Sequence, residues 1–477
     1  MGIDDGVVMV NRKYMRLVNL IDSNIMDRKL RPGEKLLSIQ ELASKHEVSK
    51  NTVIRALHIL ENRGLIEARP KSGFFVQYRT QSEAPSTPEF SSIAPAKVSM
   101  PELFQDIILR GAAFDILPKQ ALGSPHHLLS KLHRLINQSM RNQAVQKSVY
   151  YDDPLGLESL REELSKHYQS VELDIKREQI CITSGCQNAL FLALMASCQP
   201  GDNVVIESPG FYGVIQLLEQ LDLHAVEIPS SSDAGINLKV LKKVLDEFDI
   251  KACVVSPAFA TPSGAEMSLE AKKDLVSLAN QYDFAIIEDD IYGDLGFSKR
   301  PPPIKSLDTQ ERVILCSSFS KTLSRDLRIG WIMAGKWQDK IVKLKLVSNL
   351  ACSQAVQNAL AVFLREGDYK RHLVYKRKTL EIQRNQLIDS ISQYWGPLAK
   401  FYTPQGGLSI WFELPKNVDT HVLYNLSIAK GIVLAPGALF SIGPYFSNFM
   451  RLSFSHPTIE QREQAIKMLK SLIDKNF

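Results

Sequence analysis

The chain has 477 residues, 44% of them hydrophobic, with a net charge of +5; it is too long for one ordinary domain and apolar enough for two or three packed units. No run approaches the roughly eighteen apolar residues of a membrane span, and Met1-Gly-Ile-Asp-Asp lacks the basic flank and apolar core of an export signal, so no membrane role is expected and the expected compartment is the cytoplasm. The charge is unevenly placed: residues 1–79 hold fourteen Lys and Arg against nine Asp and Glu, leaving 43 of each sign elsewhere, the pattern of a polyanion-binding module joined to a neutral body.

In chain order, Tyr14, Leu17, Val18, Ile21 and Ile25 recur at helical spacing, and Leu30-Arg-Pro-Gly33 ends the pattern in a turn. Ser38-Ile-Gln-Glu41 is a capping box, so a second helix should run from there to about His46, burying Leu42 and Ala43. Ser49 caps a third helix, in which Val53, Ala56, Leu57 and Leu60 form an inward stripe while Lys50, Asn51, Thr52 and Arg55 point away. A turn of about three residues between those helices is helix-turn-helix spacing, with the third helix offering polar residues to a major groove. Leu65–Arg69 and Phe74–Tyr78 alternate as strands around Pro70-Lys-Ser-Gly73, a hairpin wing with a basic tip. A small helical protein-docking domain is the competing reading, disfavoured by the basic wing and polar helix start together.

Residues 80–101 turn rich in Pro and Ser and lose apolar periodicity, which reads as a linker that its prolines stiffen without fixing; as a flexible coil it spans roughly 25 Å. Leu128–Met140 and Leu157–Tyr168 read as helices. From Gln179, strands at Val204–Glu207, Ala252–Ser256, Phe284–Glu288 and Val313–Cys316 alternate with helices such as Ser268–Gln281, which indicates a mainly parallel sheet covered on both faces. One long helix is expected over Ser353–Ser392, followed by strands at Gly406–Glu413 and Arg451–Phe454 in a smaller α+β subdomain. The six cysteines are scattered through apolar stretches without Cys-x-x-Cys spacing or a histidine cluster, so they read as buried free thiols and no metal is expected.

Three strand ends carry chemistry. Val313–Leu315 runs into Cys-Ser-Ser-Phe-Ser-Lys321, and a lysine held in a crevice beyond the core can lose its proton and attack an aldehyde. Ser-x-x-Lys alone is commonly a solvated loop, so its company decides. Phe284–Glu288 continues into Asp-Asp-Ile-Tyr292, where a carboxylate can keep a pyridinium nitrogen protonated and a tyrosine can donate to a ring oxygen. Ile180-Cys-Ile-Thr-Ser-Gly-Cys-Gln-Asn-Ala-Leu190 is a strand, a small-residue turn and a helix start, whose backbone N–H groups suit a phosphate.

In the order and spacing of these motifs, the chain from about residue 110 onward resembles the fold-type I pyridoxal-phosphate proteins of aminotransferase class I/II. The resemblance implies that Lys321 is the Schiff-base lysine, Asp289 the partner of the pyridine nitrogen and Tyr292 the donor to the ring hydroxyl. By the same resemblance Ser184, Gly185, Cys186, Ser318 and Arg328 hold the phosphate, and Phe211 in Glu207-Ser-Pro-Gly-Phe-Tyr212 stacks on the ring. Arg451 takes a substrate or effector carboxylate, and Tyr151 in Tyr151-Asp-Asp-Pro-Leu-Gly156 reaches the phosphate of the neighbouring subunit in a homodimer. Two departures stand out: Thr261-Pro-Ser-Gly264 has a short hydroxyl where the family often has an asparagine amide, and Arg325-Asp326 replaces a Pro-Gly and adds a cation near the site.

The N-terminal segment resembles the GntR-type winged helix, departing from it at Leu37 and Gln40, where that family usually has proline and arginine. Carried over by motif, its DNA-facing residues are Ser38, Gln40, Ser49, Lys50, Asn51, Thr52 and Arg55, with Lys71, Ser72 and Gly73 at the wing tip. Together the two resemblances imply the MocR arrangement: a winged helix-turn-helix domain over 11–79, a linker over 80–101 and, over 102–477, an α/β fold-type I aminotransferase-like domain with a smaller α+β C-terminal subdomain. The expected function is a pyridoxal-phosphate-responsive bacterial regulator that binds double-stranded operator DNA and a small amine or amino-acid effector, found with the nucleoid when on its operator. The alternative is a working aminotransferase with an accessory DNA-binding domain. A non-catalytic scaffold predicts loss of Lys321 or Asp289, and both are present.

Overall fold

In a computed structural model of the chain, the described residues are 4–26, 29–30, 33–62, 65–69, 72–76, 83–90, 93–99, 107, 115–118, 127–143 and 152–477. They divide into two compact units, one of residues 1–81 with Asn385–Gln393 and one of Ser82–Arg384 with Tyr394–Phe477.

The first unit is built on local signals. Helix α1 (Asp4–Met26) precedes α2 (Ile39–Lys45), whose cap is the expected box: the Ser38 hydroxyl accepts from the Glu41 N–H at 3.2 Å and the Ser38 N–H donates to the Glu41 carboxylate at 2.8 Å. Helix α3 (Lys50–Asn62) starts at Ser49, which accepts from the Thr52 N–H. Val53, Ala56, Leu57 and Leu60 are fully buried against Leu17, Val18 and Ile21 of α1, so the 3.6-residue stripe forms the core of this unit. Truncating Leu57 to alanine there would cost about 2–5 kcal/mol. The wing strands β1 (Ile66–Arg69) and β2 (Gly73–Val76) pair antiparallel. From Gly33, the last residue of the expected turn, residues 33–36 run along the wing, with the Gly33 N–H donating to the Val76 carbonyl and the Leu36 N–H to that of Phe74.

The second unit carries a large and a small sheet. Strands β3 (Ala96–Lys97), β4 (Cys181–Thr183), β5 (Asn203–Ser208), β6 (His224–Ser231), β7 (Gly235–Ile236), β8 (Ile250–Val255), β9 (Ala285–Asp289), β10 (Val313–Ser318) and β11 (Gly330–Met333) form the large sheet. Its order is β3-β6-β5-β8-β9-β10-β11-β4, with β7 beside β6; the strands from β6 to β10 are parallel, β3, β7 and β11 run against them, and β4, antiparallel to β11, runs in the direction of β10. Helices α4 (His127–Gln143), α5 (Glu158–Gln169), α6 (Cys186–Ser197), α7 (Tyr212–Gln220), α8 (Leu238–Glu247) and α9 (Leu269–Tyr282) alternate with them. Near-continuous apolar runs in β8, β9 and β10 follow from burial on both faces. All six cysteines are free and buried.

After α10 (Gln338–Ser348), the long helix expected over Ser353–Ser392 is two helices, α11 (Gln354–Arg365) and α12 (Asp368–Tyr394). Gly367, at φ 73°, takes the left-handed conformation that ends a helix, and a single glycine in an amphipathic stretch does not announce itself as a break. The small sheet has the order β12 (Lys400–Phe401), β13 (Ser409–Glu413), β15 (Phe449–Ser453), β14 (Ala435–Pro436), all antiparallel, and is accompanied by α13 (Thr420–Ile428) and α14 (Gln461–Asn476).

The proline-rich linker is held rather than merely stiffened. Ser86 donates its N–H and hydroxyl to Glu413 at 2.7 and 3.0 Å, Glu83 pairs with Lys400, and the Phe90 ring stacks on Tyr445. Ala96–Lys97 then adds an edge strand to β6, and Val98 is buried. These anchors are single side chains without a period, which is why no pattern reveals them.

Candidate functional site

Strand alternation sorts the acidic triplet at the end of β9. Ile287 and Asp289 face the α6 side, while Ile286 and Glu288 face the other layer, where the Glu288 carboxylate accepts from the N–H groups of Ile304 and Lys305. Asp289 is buried, and its Oδ1 accepts from the Cys186 thiol at 3.2 Å and the Ile291 N–H at 3.3 Å. Burial pushes its carboxyl up to about 6, against these two donors.

Lys321 lies in the turn that follows β10. Burial of its amine, reinforced by Arg451, lowers it from 10.5 to about 7, against the opposing pull of Asp289. Arg325, the extra cation, is the smallest of these influences: it is largely exposed and paired with Asp326 at 3.8 Å. Ser318 is buried at the end of β10, its hydroxyl accepting from the Ser320 N–H.

Between β4 and α6, Ser184, Gly185 and Cys186 form a turn that presents the N-terminus of a twelve-residue helix. Arg328 lies over it, donating from Nη2 to the Ser184 carbonyl at 2.7 Å. Gly185 sits at φ 92°, a left-handed conformation that favours glycine, and a Cβ there would stand 3.1 Å from the Arg328 guanidinium. Two side chains of the turn are engaged in ways the sequence does not signal. The Ser184 hydroxyl accepts from the Asn349 amide, and the Cys186 thiol serves Asp289.

Phe211 caps α7, half-buried, and Gln187 ties its loop to the turn by donating to the Gly213 carbonyl at 2.8 Å. Tyr292 and Thr261 are buried, and Arg451 on β15 donates from Nη1 to the Thr261 hydroxyl at 3.2 Å. Burial holds the Arg451 guanidinium below its ordinary value, with Tyr212 and Tyr292 opposing, and its charge rests over the Phe440 ring at 5.1 Å. Thus the large sheet contributes an amine, a carboxylate and an N–H turn, and the small sheet contributes a guanidinium. Tyr151 lies outside the described residues.

Sequence reasoning missed a buried network behind the site. Arg300 binds Asp290 and, at 2.8 Å, Asp294, while Tyr168 donates to Asp290 at 3.1 Å and Tyr369 to Asp294 at 2.7 Å. Burial alone would raise Asp294, but His167 and Arg300 beside it hold it well below the usual carboxylate range. The doubled aspartate at 289–290 was the available signal. Glu227 was also missed: it accepts from the Ser208 and Ser441 hydroxyls and from the Ile442 and Gly443 N–H groups, fixing the Phe440–Gly443 loop to β6.

On the first unit, Ser38, Gln40, Ser49, Lys50, Asn51 and Arg55 are exposed, as are Ser72 and Gly73 in the wing; Lys71 lies outside the described residues. Thr52 corrects an expectation. It is buried, and its hydroxyl is 2.8 Å from that of Ser49, because the third residue after a cap turns back toward it. Arg55 lies over the Tyr14 ring at 4.4 Å. Among the described residues no helix is long and apolar enough to cross a membrane, and no group of three His, Cys, Asp or Glu is arranged to hold a metal.

Residues 122–469 match the family model "Aminotransferase class I and II", and residues 13–76 match "Bacterial regulatory proteins, gntR family". The HTH-type transcriptional regulator YdcR of Escherichia coli is 33% identical over 469 residues, covering 98% of this chain and all of that protein. Aromatic-amino-acid aminotransferase 1 of Thermococcus litoralis is 30% identical over 357 residues, 73% of this chain and 84% of the enzyme. The crystal structure of Pyrococcus horikoshii kynurenine aminotransferase superposes with a TM-score of 0.70 at 28% identity, covering 80% of this chain and 95% of that one. The chain therefore belongs to the aminotransferase class I and II family, in the MocR-like group of transcriptional regulators that carry a gntR-type winged helix ahead of that domain.

Proposed function

We propose that the second unit binds pyridoxal phosphate together with a small amine or amino acid, and that this occupancy governs operator binding by the winged helix. The observation that carries the reading is the convergence of a lysine lowered to about 7, a buried carboxylate and a buried guanidinium with a glycine-bearing helix N-terminus and Arg328. The groups fit the cofactor: the turn at Ser184, Gly185 and Cys186, with Ser318 and Arg328, would take its phosphate. Phe211 would cover its ring, and Tyr292 with Thr261 would meet the ring hydroxyl.

When bound, pyridoxal phosphate supplies an aldehyde that condenses with amines and a ring that accepts electron density. Lys321 is half neutral near pH 7 and is the amine able to attack. Asp289 keeps one oxygen on Cys186 and Ile291 and would hold a ring nitrogen proton with its charge. Arg451 would orient an effector by its carboxylate in a bidentate pair. Tyr151 would complete the phosphate site of the partner in a homodimer, and that dimer would present two winged helices to two half-sites. On the DNA, Ser38, Gln40, Ser49, Lys50, Asn51 and Arg55 with Lys71, Ser72 and Gly73 would face the duplex, while the buried Thr52 would act through the cap.

The test is an absorbance titration of the purified protein with pyridoxal phosphate and then candidate amines, in parallel with operator binding. A chromophore retained by Lys321→Ala after borohydride reduction would defeat the assignment, as would specific operator binding by a fragment beginning after residue 101. A working aminotransferase is the second reading, favoured by the presence of Lys321, Asp289 and Arg451 in one cleft; a keto-acid product in stoichiometric excess over protein would establish it.

A further inference from the structure

The segment joining the winged helix to the second unit crosses from one sheet of that unit to the other. Its first stretch, Glu83–Phe90, lies on the small sheet: Ser86 grips Glu413 through its N–H and hydroxyl, and Glu83 pairs with Lys400, which faces Glu413 across the β12–β13 ladder. Phe90 ends this stretch stacked on Tyr445, ring centroids 4.1 Å apart and planes at 23°. Its second stretch, Ile93–Ser99, belongs to the large sheet, with Ile93 against the core beneath β5 and β8, Ala96–Lys97 paired to β6 and Val98 buried.

The ligand site crosses between the same two sheets. Lys321 and Asp289 stand on the large sheet and Arg451 on β15, opposite Trp411 and two residues along β13 from the strap's anchor Glu413. A short loop joins both crossings. Phe440 lies under the Arg451 guanidinium, Ser441 to Gly443 are held to β6 by Glu227, and Tyr445 lies against Phe90. The Phe440 carbonyl also accepts from the Gly210 N–H, beside Phe211.

We propose that the stretches 83–90 and 93–99 act as a strap whose docking is reciprocally linked to a carboxylate at Arg451, which deepens the function proposed above and rests on it. Two bridges across the same pair of sheets, each favouring one relative placement, stabilise one another; by linkage each strengthens the other by the same factor. The consequence reaches the winged helix through chain length. With the strap docked, the tether from Val76 to Glu83 spans at most about 25 Å; undocked as far as Ala96, it spans at most about 70 Å. A carboxylate-bearing ligand thereby shortens the tether and restricts where the DNA-reading unit can go.

The experiment compares, on the full chain, pyridoxal phosphate alone with N-(5′-phosphopyridoxyl)-L-alanine, a non-reacting compound that adds the carboxylate. Amide hydrogen exchange at residues 83–90 should slow on the order of 5- to 10-fold with the second probe relative to the first. Phe90→Ala and, separately, Ser86→Pro should weaken the second probe by the same factor while leaving affinity for pyridoxal phosphate unchanged, and Phe90→Tyr should restore the wild-type value. Equal exchange with both probes, or unchanged affinity in both strap variants, overturns the linkage and leaves the cofactor site standing. Failure of pyridoxal phosphate itself to bind overturns the cofactor reading and the linkage together.

Discussion

Lys321 gives the most direct test of the site, because a buried amine costs stability in the cofactor-free protein. In the unfolded chain a lysine holds its proton to about pH 10.4, whereas in the folded state burial and Arg451 release it above about 7. Between those values unfolding takes up a proton, so this residue makes stability rise with pH by up to about 1.4 kcal/mol per pH unit. Integrated, the penalty at pH 7 approaches about 4 kcal/mol. Lys321→Met keeps the length and removes the charge. Part of the gain is returned because Asp289 loses a nearby cation, leaving a net stabilisation of roughly 2–3 kcal/mol at pH 7 that shrinks toward pH 10. Urea unfolding of the cofactor-free proteins, followed by a tryptophan signal since Trp331, Trp337, Trp395 and Trp411 all lie in the second unit, measures it. A variant that is less stable at pH 7, or that keeps the wild-type pH slope between 7 and 10, would refute the argument that this amine is desolvated.

Three further outcomes follow from the same geometry. Arg451→Gln should weaken an amino-acid effector by on the order of 100-fold while pyridoxal phosphate is retained, since a buried charged pair is worth about 2–5 kcal/mol; isothermal titration with both ligands checks the split. Lys50→Ala should reduce the log–log salt slope of operator binding by about 0.9 if it meets one phosphate, measured by fluorescence anisotropy over a salt series. Ser38→Ala deletes the box at the start of α2 and should lower the stability of the first unit by about 1 kcal/mol, read from the thermal unfolding of a fragment of residues 1–81 against the same fragment unmutated.

What the sequence determined is whatever local physics decides. Ser38 and Glu41 cap the helix between them, Val53 to Leu60 repeat with the helical period, and the runs ending at Asp289, Ser318 and Thr183 are buried strands whose ends meet in one cleft because a parallel sheet gathers its strand ends on one side. Lys321, Asp289, Tyr292, Thr261 and Arg451 were legible as an order of motifs. Tertiary structure alone decided which side chains met. The Cys186 thiol turns to Asp289, a residue 103 positions away; Glu227 seizes a loop over two hundred residues later; and Ser86 reaches Glu413 across 327 positions. These partners share no period and no spacing. Each contact exists because the folded sheets carry two distant stretches past one another, and a carboxylate or hydroxyl removed from water takes the donor it finds there.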